Sequence, residues 1–454
     1  MPMNRVANVT TLLVLVLASG VLLAQKGGGK PAPSPVPLVL ADGLNIVTRE
    51  ILEANRIRAW HSSPDSPSYT VGWQEYDKNV PYLAIGDVDG EVLTDGRKDN
   101  ELIMPVAFSV GTHKQPRYSV CVWGYKQGQV GPYYTTPCTD AESVSETTVF
   151  SSQVSVTPYD LDGDKIDEVV LGTPTHVAVY KLIGGAFDRI AEADIGALGV
   201  TLASKAFARH SLAVGDVDAD GLAEIVCGGV TYDANAAGDE HSYLLVYSAD
   251  LQLKGYNHLT ASPDLPSFVI EYGDGLQIGD TTGDGGSEIW CAGWTNTAEP
   301  YTFDQHVRSW RVGGYDPQLV LTPGPGLDFL AQRRLRVRLS VGQLFDPEGP
   351  DQVVTNKRGD DSTVEVYSNN GGSLVLAAST TVPGVNVTRT IVMDDRLFLG
   401  GTVIRSGKTP TGVYVGVFEP VADGGDGYAL NKLWSNGERT GCEMWTFTVG
   451  HGKK

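Results

Sequence analysis

Apolar residues along this chain come in short runs separated by Gly, Asp, Pro and Ser, and several runs alternate with polar positions, as in Thr363-Val364-Glu365-Val366-Tyr367. A period of two sends successive side chains to opposite faces of a strand, and no stretch sustains the 3.6-residue period of an amphipathic helix. The pattern predicts many short β-strands. One segment also repeats: LAIGDVDGEVLTDGRKDNELIM from Leu83, VTPYDLDGDKIDEVVLG from Val156, LAVGDVDADGLAEIVCGG from Leu212 and LQIGDTTGDGGSEIWCAG from Leu276. A worn copy, LSVGQLFDPEGPDQVVTN, starts at Leu339, and a fainter one, TIVMDDRLFLGG, at Thr390.

The first loop positions of five copies, Asp87, Asp160, Asp216, Asp280 and Gln343, stand 56–73 residues apart. That spacing holds four strands of about five to seven residues with their turns. Each loop is followed by a β-branched run (EVVLG, EIVCGG, EIWCAG, QVVTN), then a run with an aromatic (HVAVYKL, YLLVYSA, HVRSWRV, TVEVYSN), then a looser segment such as FDRIAEA or SLVLAAS. The chain ends on MWTFTVGHGKK, a first strand without its loop, while Asp42 to Val47 reads as a second strand and Arg56 to Trp60 as a third. Pairing these ends completes one more sheet and covers edges that an open array leaves exposed. The expected fold is all-β: a seven-bladed β-propeller of four-stranded antiparallel sheets, closed by pairing of the N- and C-terminal strands.

Composition supports the turns, with 54 Gly and 25 Pro among 454 residues. Charge narrows the partners: 34 Lys and Arg stand against 54 Asp and Glu, a net of −20 that repels a phosphate backbone, so no nucleic acid is expected. The excess acid sits in short Asp/Gly loops rather than solid runs, which points to cations held at discrete places. At the N-terminus Arg5 precedes the apolar segment Leu12 to Leu23, and Ala24-Gln25 offers a small-residue cleavage position. Residues 1–24 thus read as a signal peptide, with a retained membrane anchor as the alternative. Residues 25–37 form a Gly/Pro-rich linker, and 38–454 the propeller. No later run is apolar enough to span a bilayer, so the expected location is secreted, periplasmic or cell surface. Of five cysteines, Cys121 and Cys138 are spaced to bridge a hairpin, whereas Cys227 and Cys291, at equivalent places in two repeats, read as small buried hydrophobes.

The repeated loops carry the chemistry. Asp160, Asp162, Asp164 and Glu168 stand at positions one, three, five and nine of one loop, with the backbone carbonyl of Ile166 at seven. Asp216, Asp218, Asp220 and Glu224, with Leu222 at seven, repeat the spacing, and Gly221 permits the sharp turn. Alternate carboxylates on a turning backbone converge on one centre, the arrangement a hard cation such as Ca²⁺ needs for its six to eight oxygens. Asp280, Thr282, Asp284 and Glu288 keep the spacing with one hydroxyl. Asp87 and Asp89, followed by Glu91, Asp95, Asp99 and Glu101, carry an insertion that leaves the ligand set open. Two calcium sites are expected, and up to four. In the worn copy Gln343 and Phe345 replace ligands, and no metal is expected. The competing interpretation of any one loop is an Asx-rich turn with solvated acids.

With φ for an apolar residue, the unit φxφGDφDGDGxxEφφφG resembles the FG-GAP/VCBS repeat of integrin α-subunit propellers and of many bacterial exported proteins, from about Asp42 onward. Gly172-Thr173-Pro174 resembles the Gly-Ala-Pro of the family's name. The resemblance implies a propeller with structural calcium at the blade edges and no single activity.

The leading functional expectation is a non-enzymatic module that binds an extracellular polysaccharide or protein. Trp73, Trp123, Tyr133, Tyr134, Trp294 and Tyr301 lie in turn-rich stretches where aromatics stack on sugar rings, or else pack between sheets; Trp310 reads as core. A second expectation is a polysaccharide lyase of the rhamnogalacturonan-lyase-like kind. There Arg333, Arg334, Arg336 and Arg338 meet an anionic ligand, or else form an exposed charged strand. Such lyases carry an additional N-terminal β-rich region that the segment before Leu38 has no room for, and the eight histidines fall in no catalytic signature. A third is a structural surface-assembly protein. No catalytic residue is assigned.

Overall fold

Runs that are apolar at every position fold as strands buried on both faces, because each sheet is packed between two others. The structure, a computed structural model, describes residues 44–51, 56–61, 82–92, 98–109, 118–126, 134–136, 139–141, 154–173, 175–195, 209–232, 240–259, 268–270, 275–296, 302–315, 318–333, 337–357, 361–404, 410–423, 427–436 and 443–451. The segments read as signal peptide and linker lie outside them. All the sheets belong to one unit, Ser34–Lys454.

Twenty-nine strands form seven antiparallel sheets among the described residues, with no α-helix. One sheet joins the two ends of the chain: β1 (Leu44–Ile51) lies between β2 (Arg56–His61) and β29 (Glu443–His451), with Ile46 opposite Trp60 and Val449. The first internal sheet is β3 (Ala84–Gly86), β4 (Glu101–Ser109) and β5 (Tyr118–Tyr125), with β6 (Tyr134–Thr135) and β7 (Thr139–Ala141) both on β5. The second is β8 (Ser155–Tyr159), β9 (Glu168–Gly172), β10 (His176–Ile183) and β11 (Ala186–Asp194); the third is β12 (Arg209–Gly215), β13 (Glu224–Tyr232), β14 (Glu240–Tyr247) and β15 (Leu253–Leu259). In the fourth, β16 (Val269–Ile270) and β17 (Leu276–Gly279) both pair with β18 (Glu288–Asn296), followed by β19 (Thr302–Gly314) and β20 (Val320–Arg333). The fifth holds β21 (Val337–Gly342), β22 (Gln352–Lys357), β23 (Ser362–Asn370) and β24 (Ser373–Val382), and the sixth β25 (Val385–Met393), β26 (Arg396–Ile404), β27 (Pro410–Ala422) and β28 (Tyr428–Ser435). The four-stranded expectation needs two amendments. Outer and inner strands are interrupted in the first and fourth sheets, giving five segments each, and the terminal sheet shows three described strands.

Alternate residues of each second strand serve different neighbours. In β9, Val169 and Leu171 join a core shared with the first sheet, while Val170 joins one shared with the third. In β18, Ile289 and Cys291 pack toward the third sheet and Trp290 and Ala292 toward the fifth. Further cores join the fifth sheet to the sixth and the sixth to the terminal sheet, where Phe398 and Val415 meet Ile46 and Val449. Cys227 and Cys291 are fully buried free thiols within these cores, as expected. The first strands touch in succession: β29 to β3, β3 to β8, β8 to β12, β12 to β17, β17 to β21, β21 to β25 and β25 back to β29.

Two clasps fix neighbouring sheets at the loops. Asp167 donates its N–H to Asp87 O (2.7 Å) and accepts the Asp87 N–H on Oδ2 (3.0 Å); Asp351 does the same for Asp280, at 2.8 and 2.9 Å. Burial holds the Asp167 carboxyl up to about 6, against the pull of the Asp87 N–H, and raises Asp351 likewise. The approach requires the preceding glycine. A Cβ on Gly86 would lie 2.6 Å from Asp167 Oδ2, and one on Gly279 2.5 Å from Asp351 Oδ2.

Candidate metal loops

In the first five sheets the loop after the first strand is closed by one contact. The side chain at the start of the second strand accepts the N–H of the loop's second residue: Val88 to Glu101 (3.1 Å), Leu161 to Glu168 (2.9 Å), Val217 to Glu224 (3.0 Å), Thr281 to Glu288 (2.8 Å) and Leu344 to Gln352 (2.6 Å). The four glutamates are at most 1% exposed. Position one binds the loop backbone: Asp160 accepts from Gly163 (2.7 Å) and Lys165 (2.9 Å), Asp280 from Gly283 (2.8 Å) and Gly285 (2.7 Å), and Asp216 from Gly221 (2.9 Å). Positions four and six of these loops take the left-handed conformation, with φ of 80° at Gly163, 69° at Lys165, 60° at Ala219 and 85° at Gly221. Gly221 thus makes the turn expected of it.

This wrapping brings acidic groups together. Asp160, Asp162 and Glu168 form one cluster, Asp216, Asp218 and Glu224 a second, and Asp87, Asp89 and Glu101 a third, each with ligand atoms within 4.8 Å of one another. Asp164, Asp220 and Asp284 each accept the N–H of position seven on Oδ1, from Ile166 (2.9 Å), Leu222 (2.8 Å) and Gly286 (3.0 Å).

The inward oxygens face side-chain cations. Lys181 Nζ sits 2.5 Å from Asp162 Oδ2, 2.8 Å from Asp164 Oδ2 and 2.7 Å from Glu168 Oε1. Lys254 Nζ sits 2.6 Å from Asp218 Oδ2, 3.4 Å from Asp220 Oδ2 and 2.8 Å from Glu224 Oε1. Arg311 bonds Asp284 Oδ2 (2.6 Å), Thr282 Oγ1 (2.5 Å), Glu288 Oε1 (2.5 Å) and the carbonyl of Gly286 (3.2 Å), which are positions five, three, nine and seven. Burial opposes the charge on Lys181 and Lys254, yet their carboxylate hydrogen bonds prevail and hold both well above the ordinary lysine range. The Arg311 hydrogen bonds in turn hold Asp284 well below the carboxylate range.

As a test of fit for calcium, the donor types and spacing suit a hard cation, but in these three loops the oxygens of positions three, five and nine face an ammonium or guanidinium, while position one binds the loop backbone. The loops of Asp160 and Asp216, which the spacing favours most, are therefore not ready-made for a resident ion. The first sheet differs. Lys98 bonds Asp87 (2.6 Å), Lys126 pairs with Asp89 (3.1 Å) and Glu91, and Tyr134 donates to Asp89 (2.7 Å), while Glu101 Oε1, like Asp216 Oδ1 in the third-sheet loop, is buried with no hydrogen-bond partner. Burial, with the nearby charge of Asp89, pushes the Glu101 carboxyl up to about 9. The worn loop holds no carboxylate at its closing position, and Gln352 takes the role with a neutral amide.

Of the expected aromatic contacts, Trp294 is partly buried against the core between the third and fourth sheets, Tyr134 is buried edge-on to Phe187 at 5.9 Å, and Trp123, on β5, is half-buried. Trp310 lies in the core as expected. Arg338 is buried on β21. Trp73, Tyr133, Tyr301, Arg334 and Arg336 lie outside the described residues. The cations were missed because they come from other strands. Their signal is an aromatic followed by Lys or Arg, as in Tyr125-Lys126, Tyr180-Lys181 and Trp310-Arg311.

Sheets packed in succession, four of them with an acidic loop after the first strand, define a β-propeller repeat class. Residues 160–227, spanning the second-sheet loop through the third-sheet loop, match the FG-GAP-like repeat, so this stretch of the chain is similar to that repeat family. No curated protein matches it. Solved structures similar to it include a protein from Lactobacillus plantarum (11% identity, 90% of this chain and 100% of that one, TM-score 0.48). A putative 6-phosphogluconolactonase from Bacteroides uniformis is similar at 12% identity, over 90% and 100% of the two chains, with a TM-score of 0.47. An N-acetylglucosamine-recognising lectin of Agrocybe aegerita follows at 14% identity, 88% and 92%, and 0.42.

Proposed function

We propose that the chain is a secreted, closed, seven-bladed β-propeller that acts as a non-enzymatic binding or adhesion module for an extracellular polysaccharide or protein. The observation that carries the binding role is a cavity of about 180 Å³ where the first strands of four sheets meet, lined by Gln277, Ser340, Arg389, Thr390 and Thr448. Ligand pockets for whole small molecules run from about 300 Å³ upward. This one suits a single polar or anionic substituent, with the rest of a polymer lying across its mouth. Arg389 presents the one positive charge of the lining and is braced by Tyr82, whose hydroxyl accepts its Nη2–H at 2.6 Å and whose ring lies 4.6 Å away.

Ring closure is supported by the unbroken succession of first-strand contacts and by the Arg389–Tyr82 bond between the sixth and first sheets. Secretion is supported by the export-type N-terminus and by the disulfide-bonded state of Cys121, since such bonds persist in oxidising compartments. The register Val120 opposite Thr139 runs toward the expected partner Cys138, which lies outside the described residues. Calcium enters this reading at the first sheet, where Asp87, Asp89 and Glu101 converge and Glu101 has an oxygen to give; at Asp160, Asp216 and Asp280 it competes with a bound side chain.

A glycan array carrying neutral and uronate-containing polymers, read together with an assay for unsaturated uronate, tests the function. Retention without product, lost in Arg389→Ala, is the expected result. Product formation would move the reading to a lyase, and silence in both assays to a structural surface-assembly protein.

A further inference from the structure

We propose that Lys181, Lys254 and Arg311 are built-in occupants of three repeat loops, so that these turns are held by the protein's own cations and take up no calcium. Geometry is the first support. Each cation sits among oxygens of positions three, five and nine, and Arg311 also takes the position-seven carbonyl, so one side chain occupies most of the contacts that a loop-bound metal needs and leaves position one to the loop backbone.

Comparison of the sheets with one another is the second. Lys181 lies one residue past the pair Val169–Tyr180, opposite Glu168, and Arg311 one residue past Ile289–Trp310, opposite Glu288. In the third sheet Ser248 fills that place, and Lys254 reaches in from the fourth strand instead. Where the closing residue is the neutral Gln352, the place opposite holds neutral Ser368; where it is Arg396, it holds Glu419. In the first sheet Lys126 stands opposite Glu101 and pairs with Asp89 and Glu91. Charge on the facing strand thus follows charge on the closing residue in every internal sheet but the third, which an exposed surface lysine has no reason to do. An ammonium at hydrogen-bond distance from three carboxylates also offsets the burial of the closing glutamate, whose ionised form is costly to bury alone.

Equilibrium dialysis of the full chain against millimolar calcium, with bound metal counted by emission spectroscopy, tests this. The wild type is expected to bind at most one ion, the one assigned above to the first sheet and lost in Glu101→Gln. Lys181→Met and Arg311→Met are each expected to gain one. Two or more ions on the wild type, or no gain in variants that keep a native circular-dichroism spectrum, overturns the proposal. A double variant, Glu168→Gln with Lys181→Ser, copies the neutral pair of the fifth sheet and guards against a single variant that fails to fold. Its melting midpoint is expected to stay within about 3 °C of wild type in chelator and in calcium alike. A larger fall in chelator overturns the idea that charge matching holds the turn. Zero ions on the wild type leaves the inference standing and removes calcium from the first sheet only.

Discussion

Gly279 ends β17 where an added Cβ would stand 2.4 Å from Val341 Cγ1 and 2.5 Å from Asp351 Oδ2, the oxygen that accepts the Asp280 N–H. Gly279→Ala therefore forces the fourth and fifth sheets apart and loosens the clasp in one step, and overpacking of this kind costs about 1–3 kcal/mol. Ala219 is the opposite case. It sits at φ 60° in the third-sheet loop, a conformation that glycine adopts without a Cβ clash. Ala219→Gly is expected to hold or raise the melting midpoint while Gly279→Ala lowers it, and thermal unfolding of both variants beside the wild type measures the contrast. A Gly279→Ala variant that melts like wild type would show that the two sheets can give way at this point.

Element by element, the strands differ in what their sequence reveals. First and second strands were legible because Gly-Asp and a β-branched run recur in register, and β8, β9, β12, β13, β17, β18, β21 and β22 follow them. The worn sixth copy was legible as a strand pair, though its loop has shrunk to Asp394-Asp395, both at positive φ between β25 and β26. The loop cations were not legible from spacing alone, since Lys181 lies 13 residues and Lys254 30 residues beyond the glutamate each meets, and only strand register joins them. The fourth sheet adds a polar device that no repeat announces. His306 on β19 is 1% exposed, with Nδ1 2.6 Å from Asp328 Oδ1 and Nε2 3.0 Å from Thr295 Oγ1. Burial lowers its pKa, and the Arg308 charge adds to this, outweighing the pull of Asp328. An unfolded chain, with histidine near 6.5, takes up the proton first as pH falls. The histidine's contribution is thus complete above that value and shrinks as pH drops from it toward the lower folded pKa. Melting curves between pH 7.5 and pH 5, roughly, should fall more steeply for wild type than for His306→Gln; equal slopes would mean the buried ring titrates normally.

At the scale of the molecule, the two ends of the chain together supply a seventh sheet beside the six internal ones. β29 contributes a first strand that touches both β25 and β3, and β1 covers its outer edge through pairs running from Leu44–His451 to Ile51–Glu443. Removing residues 1–37 takes away no residue of any described sheet, so the shortened chain is expected to melt like the full one. Removing residues 1–55 strips β1, leaves β2 without its neighbour and exposes the β29 edge, with Ile46 gone from the core it shares with Phe398, Val415 and Val449. An uncovered strand edge invites pairing with another chain. The longer truncation should therefore lower the midpoint and bring concentration-dependent association, read by scanning calorimetry and light scattering on the two truncated chains. If both truncations melt alike and stay monomeric, the terminal sheet is an ornament to the array, and the six internal sheets hold their arrangement without it.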